Sequence, residues 1–252
     1  MSIKLDARQR AMLSEMGIRL FEGLPPAPQA AAVATAAVAT RVVQAPATVA
    51  KTPAAPMVPA GSDAVELMEW DALAQAVAAC RACTLCSSRT QTVFGVGDTR
   101  ADWLIVGEAP GENEDLQGEP FVGQAGKLLD NMLKSLGLDR RNKVYIANVL
   151  KCRPPGNRNP DPEEVARCEP FLRRQVQLLQ PRIVLAMGRF AVQALLGTNE
   201  PIGKLRGRPH QYLGIPLVVT YHPAYLLRNL PDKAKAWADL CLAQELVRGA
   251  RP

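Results

Sequence analysis

The amino-acid sequence predicts an α/β protein built in three layers, with a central four-stranded parallel sheet flanked by helices. Two observations predict this class. From residue 64 onward, short apolar runs rich in β-branched residues alternate with segments that have the periodicity of amphipathic helices. Turn residues bound each apolar run, as is typical of strands buried in a parallel sheet. Such an alternation gives right-handed crossovers, which place helices over both faces of one sheet.

Four segments have the character of buried parallel strands. Each is short, apolar and bounded by turn residues. They are ADWLIVG at residues 101–107, KVYIANV at 143–149, PRIVLAMG at 181–188 and IPLVVTYH at 215–222.

The segments between and after these strands show helical spacing. Asp161 is a good N-cap residue, and Pro162 suits the first position of the helix that follows it. The predicted helices cover residues 125–137, 161–179, 188–197 and 232–249.

Residues 24–63 have a different composition from the rest of the chain. They are nearly all Ala, Pro, Val and Thr, with no aromatic residue. Such a segment offers too little bulky apolar surface to offset the entropy of ordering it, so we expect a flexible linker. An Ala-rich helix is the alternative, and the recurring prolines weigh against it. The linker separates an N-terminal segment, residues 1–23, from a domain at residues 64–252.

Charge and hydropathy narrow the classes of partner and compartment. A formal net charge of +6 and a pI near 9.1 suggest an anionic partner, of which nucleic acid is the first candidate. A solvated basic surface is the plain alternative. Pro, Lys and Arg interrupt every apolar run, so we expect no membrane span. The N-terminus lacks the features of a signal peptide, and we therefore expect a cytoplasmic protein.

Three loops that leave the carboxyl ends of predicted strands carry unusual residues. They are GEAPGENED at 107–115, NVLKCRPPGN at 148–157 and HPAYLLRN at 222–229. Ligands of parallel sheets bind beyond the carboxyl ends of the strands, so we expect the three loops to form one pocket. The acids crowded in the first loop are unusual for a purely structural turn, because like charges repel and a tight turn needs only Gly, Asn or Pro.

Six cysteines in a cytoplasmic chain favour a metal site over disulfides. Cys80 and Cys83 form a C-x-x-C motif, and Cys152 and Cys168 form a second, wider pair. Four thiolates suit either structural zinc or an iron–sulfur cluster, and the spacing leaves both open. Cys86 extends the first motif; a free thiol is its favoured interpretation. Cys241 lies on the apolar face of the last helix, and we expect a buried core thiol there.

Together these motifs resemble those of the family-4 uracil-DNA glycosylases, the iron–sulfur branch of the uracil-DNA glycosylase superfamily. The matching pieces, in the family's order, are CRAC, VGEAPGENED, GEPFVGQAGKLL, NVLKCRPPGNRNP with the Cys168 that follows, and HPAYLLRN. The resemblance implies a DNA repair enzyme that flips uracil out of single- or double-stranded DNA and hydrolyses its N-glycosidic bond. It implies a four-stranded parallel sheet, a monomer that associates with the nucleoid, and an abasic product.

The resemblance also implies a structural [4Fe-4S] cluster. Its ligands would be Cys80, Cys83, Cys152 and Cys168.

The resemblance assigns three residues to the chemistry of the base. Asn148 matches the residue that reads O4 and N3–H of uracil, which cytosine presents in the reverse pattern. His222 matches the histidine that approaches O2 and stabilises the developing uracil anion. Phe121 matches the aromatic platform on which the extruded base stacks.

The GEAPGENED loop is expected to hold the attacking water. The water would be held near Glu108 and the backbone of the turn, since Ala109 cannot act as a base. Glu114 would shape the pocket wall near C5 of uracil, and a structural role is the alternative for Glu112 and Asp115. The residues expected in catalysis are Glu108, Asn148 and His222, and those expected to bind uracil are Glu108, Ala109, Pro110, Glu114, Phe121, Asn148 and His222.

Two basic or apolar loops are expected to contact DNA. Leu226 or Leu227 would fill the space left by the flipped base, and Arg228 would hold a flanking phosphate. A second set of phosphate contacts is expected from Lys204, Arg206 and Arg208.

The N-terminal segment is predicted to form a short amphipathic helix at residues 5–22. A lone helix on a long linker is marginal in water, so we expect a docking peptide; packing against the chain's own domain is the alternative. The stretch MLSEMGIRLF within it is similar to the N-terminal segment of the psi subunit of the bacterial clamp loader, which binds the chi subunit. This similarity implies a partner in the replication machinery.

Rival functions make different demands on the sequence. A homologue that only binds uracil-DNA would be expected to have lost Asn148 or His222, and both are present. The branch that captures uracil covalently carries an inserted basic loop, which is not found before CRPPGN. An unrelated zinc-stabilised nucleotide-binding protein would explain the cysteines and the sheet, but not the three loops together.

Overall fold

The four predicted strands form the parallel centre of one sheet. The structure, a computed structural model, describes residues 62–249. The predicted docking helix at residues 5–22 and nearly all of the predicted linker lie outside this range. The strands are β1 (Val96–Gly97), β2 (Trp103–Gly107), β3 (Val144–Asn148), β4 (Ile183–Met187), β5 (Pro209–Tyr212) and β6 (Ile215–Thr220). Their order across the sheet is β1-β3-β2-β4-β6-β5, and the four central strands are parallel.

The sheet has six strands, and the prediction of four was wrong at its two edges. β1 pairs with β3 and β5 pairs with β6, both antiparallel. β1 has only two residues, and it lies close enough to β3 that a side chain on Gly97 would collide with the Val144 carbonyl. β5 is a polar, partly exposed strand that begins with proline. Neither segment has the continuous apolar run by which a buried strand is recognised.

Helices cover both faces of the sheet, as the alternating pattern predicts. In chain order they are α1 (Ser62–Glu66), α2 (Trp70–Ala79), α3 (Glu112–Gln117), α4 (Gln124–Ser135), α5 (Pro162–Leu179), α6 (Arg189–Leu196), α7 (Ile202–Leu205), α8 (Pro223–Leu226) and α9 (Asp232–Gly249). Asp161 is the N-cap of α5 and Pro162 is its first residue, as predicted, and the Asp161 N–H donates to Glu164 Oε2 at 3.0 Å. Among residues 62–249, no helix has the length and apolar character needed to cross a membrane.

Alternate strand residues build two apolar cores, one on each face. On one face the strands pack against α5 and α6 through Leu104, Val106, Tyr145, Ala147, Val184, Ala186, Leu217 and Val219. On the other face they pack against α4 and α9 through Trp103, Ile105, Val144, Ile146, Ile183, Leu185, Met187 and Val218. The three-layer architecture is therefore as predicted. Cys241, expected to be buried on α9, is only partly buried.

The register of the central strands fixes the position of the functional edge. Trp103 pairs with Val144, and the pairing continues in step to Gly107 and Asn148. These two residues therefore stand side by side where the strands end. The GEAPGENED and NVLKCRPPGN loops leave the sheet from this point.

Candidate active site

The three loops meet at the carboxyl edge of the sheet, as predicted. They line an open cleft of about 790 Å³. The residues expected to bind uracil all lie in its wall: Glu108, Ala109, Pro110, Glu114, Phe121, Asn148 and His222. A fourth loop also contributes, because Gly188 and Arg189 follow the carboxyl end of β4.

Asn148 is a buried amide with an unused acceptor. Its side chain is 2% exposed, and within the described part of the chain its Oδ1 has no hydrogen-bond partner. Gly107 leaves the space that this side chain occupies, because a Cβ there would collide with Asn148 Oδ1 and come within 2.6 Å of the Phe121 ring. Buried polar atoms are rarely left unpaired, so this amide is available to a ligand in the cleft.

Phe121 and His222 lie against each other in the cleft. Their ring centroids are 5.3 Å apart and their planes are inclined by 28°. Phe121 has a φ of 55°, in the left-handed region that residues other than glycine rarely adopt. Its carbonyl accepts a hydrogen bond of 2.8 Å from Arg140, and it packs on Gly126, where any side chain would collide with that carbonyl. These contacts hold the ring at the entrance of α4 in a conformation it would otherwise avoid.

The protonation state of His222 follows from its hydrogen bond. His222 is the N-cap of α8, and its Nδ1 accepts from the Ala224 N–H at 3.1 Å. A backbone N–H can only donate, so the neutral imidazole carries its proton on Nε2. Burial lowers the pKa of His222 to about 4; Glu114 opposes the shift and Arg228 adds to it. At neutral pH, His222 is therefore an uncharged hydrogen-bond donor.

Glu108 has a carboxyl group whose ionisation is shifted toward neutrality. It is partly buried, and burial raises its pKa to about 6, while Arg189 acts in the opposite direction. Its backbone carbonyl accepts from the Leu150 N–H at 3.1 Å, which ties its turn to the loop after β3. Arg189 was not among the predicted site residues. Its position directly after β4 is the signal that could have indicated it.

Glu114 connects two loops of the cleft wall. Its Oε2 accepts from the Gly111 N–H at 3.1 Å, and its Oε1 accepts from the Val122 N–H at 3.0 Å and the Gly123 N–H at 3.4 Å. The carboxylate thus holds the turn after β2 against the segment that carries Phe121. Glu114 lines the cleft, but both of its oxygens are engaged by the backbone.

The neighbouring acids, Asp115 and Glu112, make contacts that are structural. Asp115 is buried, and both of its oxygens accept from the Thr90 N–H at 3.0 Å. Glu112 is exposed and lies 3.7 Å from Arg153. The crowding in GEAPGENED is therefore relieved because each acid faces a different partner.

The two leucines of the HPAYLLRN loop differ in exposure. Leu226 is 1% exposed and packs inward, whereas Leu227 is 42% exposed. Arg228 is exposed and lines the cleft. Tyr221 and Tyr225, which were not predicted, stack with centroids 5.1 Å apart at the same rim.

The segment 204–208, which carries the second set of predicted phosphate contacts, contains one basic residue that faces inward. Arg206 pairs with the buried Asp239 at 2.9 Å and donates to the Lys235 carbonyl. Lys204 and Arg208 are exposed. These two have free access to a ligand, while Arg206 joins the loop to α9.

Five cysteines line a second, smaller cavity behind the cleft. They are Cys80, Cys83, Cys86, Cys152 and Cys168. Arg89 Nη1 donates to Cys152 Sγ at 3.0 Å, and the Lys151 N–H donates to Cys168 Sγ at 3.5 Å. Such N–H donors stabilise sulfur in its thiolate form, which is the form that binds metal. The donor set therefore fits an iron–sulfur cluster or another thiolate-bound metal.

Two further observations bear on the cysteine cavity. Burial raises the pKa of Cys168 to about 12, so that an unligated thiol there is neutral, and coordination would reverse this preference. Within residues 62–249, no group of three or more His, Cys, Asp or Glu side chains is arranged to hold a single metal ion.

Comparison with known proteins identifies the family. The model of the uracil DNA glycosylase superfamily matches residues 94–241. The type-4 uracil-DNA glycosylase of Archaeoglobus fulgidus is 44% identical over 190 residues, which cover 72% of this chain and 95% of that protein. The type-4 uracil-DNA glycosylase of Thermotoga maritima is 46% identical over 172 residues, which cover 68% of this chain and 88% of that protein. A type-5 uracil-DNA glycosylase of Thermus thermophilus is 30% identical over 191 residues, 62% of this chain. This chain belongs to the uracil-DNA glycosylase superfamily and, within it, to the type-4 uracil-DNA glycosylases.

Proposed function

We propose that this protein is a monofunctional DNA repair enzyme that flips uracil out of DNA and hydrolyses its N-glycosidic bond, leaving an abasic site. One observation carries the proposal beyond family membership. Asn148, whose Oδ1 is unpaired in the described structure, and the neutral imidazole of His222 line the same cleft as the Phe121 ring. A flat base with a polar edge fits this combination of an aromatic surface and two fixed polar groups.

Asn148 selects uracil over cytosine. Its amide nitrogen donates to O4, and its Oδ1, which is free in the described structure, accepts from N3–H. Cytosine presents a donor and an acceptor in the opposite places, which leaves the buried amide unpaired at a cost of about 1 to 3 kcal/mol. Phe121 supplies the surface on which the base stacks.

His222 stabilises the departing base. As the bond to the sugar breaks, negative charge develops on uracil, and the Nε2–H of the neutral ring donates to O2. The imidazole is held by the backbone of α8, so it need not reorganise during the reaction. A preorganised donor of this kind is worth about 100- to 1000-fold in rate.

Glu108 acts on the sugar side of the N-glycosidic bond. Positive charge develops on the sugar, and an ionised Glu108 stabilises it and orients the attacking water together with the backbone of the turn. Ala109 has no group that could take up a proton. The placement of charge therefore contributes more than proton abstraction.

DNA is held at the rim of the cleft. We assign the wedge that fills the space of the flipped base to Leu227, because it is exposed whereas Leu226 is buried. Arg228 holds a flanking phosphate, and Lys204 and Arg208 add contacts that weaken with salt. Arg206 contributes by keeping this loop on α9.

Membership of the type-4 family is compatible with a [4Fe-4S] cluster. We propose that Cys80, Cys83, Cys152 and Cys168 hold it, with Cys86 a free thiol beside it. When bound, the cluster supplies a cross-link between the end of α2 and the loop after β3. The NVLKCRPPGN loop, which also carries Asn148, is thereby kept at the cleft.

A strand-cleavage assay tests the proposed activity. A labelled oligonucleotide with one uracil, opposite guanine, opposite adenine or unpaired, is incubated with iron-containing protein and then treated with alkali. We expect cleavage at uracil, a loss of about 100-fold or more in Asn148→Ala, and no change in the exposed control Asn131→Ala. Absence of cleavage would refute the proposal. Binding without cleavage, or a protein–DNA adduct on a denaturing gel, would then indicate the binding-only or covalent-capture alternative.

A further inference from the structure

Lys151 lies between the cysteine cavity and the cleft and has no role in the proposed reaction. Its side chain is 1% exposed, which is rare for lysine. Nζ donates to the Asn148 carbonyl at 2.9 Å, to Gln175 Oε1 at 2.6 Å and to the Phe94 carbonyl at 3.3 Å. The three acceptors match the three N–H donors that a lysine ammonium group can offer.

The three acceptors of Lys151 are neutral oxygens. A buried charge that meets only neutral partners retains a large part of its desolvation cost. An apolar residue would fill this volume at a lower cost in free energy. The lysine must therefore be present for a reason other than packing.

The contact with Asn148 supplies that reason. The Asn148 side chain has an unpaired Oδ1, so its orientation before a base arrives depends on its backbone and on packing. Asn148 is the last residue of β3, and its carbonyl is the point at which the chain leaves the sheet. Lys151 Nζ fixes this peptide group. Gln175 reinforces it, because Gln175 Nε2 donates to the same Phe94 carbonyl at 3.0 Å.

We propose that Lys151 is a positioning residue that holds Asn148 in the orientation needed to read uracil. The inference rests on the proposed function. It also separates Lys151 from the phosphate contacts proposed for Lys204, Arg208 and Arg228.

The test uses Lys151→Met in the full-length protein, with the iron content and visible absorbance of each preparation measured. Two quantities are compared with wild type: the single-turnover rate of uracil excision, and the ratio of affinities for DNA with an uncleavable 2′-fluorinated deoxyuridine and for the same DNA with cytosine. We expect the rate to fall about 100-fold and the uracil preference to be lost, as for a misplaced positioning group. Affinity for undamaged DNA should stay at the wild-type value.

A matched control separates positioning from stability. Leu195→Ala opens a cavity in the core on α6, away from the cleft, and is compared at a temperature where both variants are folded. We expect it to lower the melting temperature but to keep the excision rate and the uracil preference. A Lys151→Met protein that holds iron and has the wild-type rate and preference would overturn the inference, as would equal losses in Leu195→Ala.

Two other results are also decisive. If Lys151→Met fails to fold or to bind iron, Gln175→Leu removes one acceptor of Nζ and leaves the charge in place, and an unchanged uracil preference in that variant overturns the inference. If wild type does not excise uracil, the proposed function fails by itself. The affinity ratio of wild type against Lys151→Met then still decides the role of Lys151, because equal ratios contradict it.

Discussion

Gly107 and Asn148 stand side by side as the last register pair of β2 and β3, and the Asn148 amide occupies the space that a side chain on Gly107 would need. The Phe121 ring fills the remainder of that space. A glycine is therefore required here by close approach, since its backbone is extended and needs no unusual φ. The first residue of GEAPGENED thus determines where the amide of Asn148, the proposed uracil reader, can lie.

Gly107→Ala is expected to reduce excision far more than stability. The added methyl group must displace Asn148 or Phe121, and overpacking of this kind costs about 1 to 3 kcal/mol in stability. We expect a shift of about 1 Å in the Asn148 amide to lower the single-turnover rate of excision about 100-fold. Rates on a uracil oligonucleotide and urea unfolding provide the two measurements. In Gly249→Ala at the end of α9 the new Cβ meets nothing within 4 Å, and this control should keep the wild-type rate.

The excision rate is expected to fall as the pH drops below about 6. The pKa of Glu108 is raised to about 6 by burial, so its carboxylate is present above this pH and is lost as the pH falls through it. His222 stays neutral over this interval, because its pKa is lowered to about 4 by burial. The measurement is the single-turnover rate between pH 4.5 and 8.5 with saturating enzyme.

Glu108→Gln identifies the group responsible for this pH dependence. The variant should be slow at every pH and should lack the fall near pH 6, because glutamine does not titrate. A fall that persists in Glu108→Gln would assign the ionisation to another residue. His222→Gln serves as the matched control, since it should be slow but should retain the fall.

Much of the fold could be predicted because its signals are local. The central strands are continuous apolar runs, and the N-cap Asp161 precedes a proline, so each element is evident from a few adjacent residues. The convergence of the loops follows from the rule that parallel strands present their carboxyl ends at one edge. β1 and β5 were missed because an edge strand needs no apolar run.

The side-chain partners in the site depend on contacts between distant residues, which local patterns do not contain. Arg206 has the composition of a phosphate contact, yet its partner Asp239 lies on the last helix. Glu114 faces two backbone segments that come together only when α3 and α4 pack. Lysine is almost always exposed, so the burial of Lys151 could not be foreseen from its sequence neighbours.

Glu114→Gln is expected to destabilise the cleft wall and the whole domain. The carboxylate accepts hydrogen bonds from the backbone of both loops, and an amide has only one oxygen to offer. A partly buried N–H left without a partner costs up to about 1 to 3 kcal/mol, which urea unfolding measures. The exposed Glu112→Gln is the control and should change stability by less than about 0.5 kcal/mol. Equal stability of the two variants would contradict the role assigned to Glu114.

Substitution of single cysteines is expected to separate the proposed ligands from the fifth thiol. Cys168→Ser should lose most of its bound iron and its visible absorbance, because serine oxygen is a poor ligand for iron–sulfur clusters. Cys86→Ser should retain both, although Cys86 lines the same cavity. Iron per chain and the absorption spectrum are measured on proteins purified without oxygen. Loss of iron from Cys86→Ser would place Cys86 among the ligands and exclude one of the other four.

The adjacent leucines of HPAYLLRN are expected to have opposite phenotypes. Leu226 is the buried last residue of α8, so Leu226→Ala should lower the free energy of unfolding by about 2 to 5 kcal/mol. Leu227 is exposed at the rim, so Leu227→Ala should leave stability within about 0.5 kcal/mol of wild type. It should instead slow excision from double-stranded DNA, where the space left by the flipped base must be filled, and affect single-stranded DNA little. Single-turnover rates on both substrates test this difference. Equal rates of Leu227→Ala and wild type on duplex DNA would exclude Leu227 as the wedge and return the assignment to a different part of the rim.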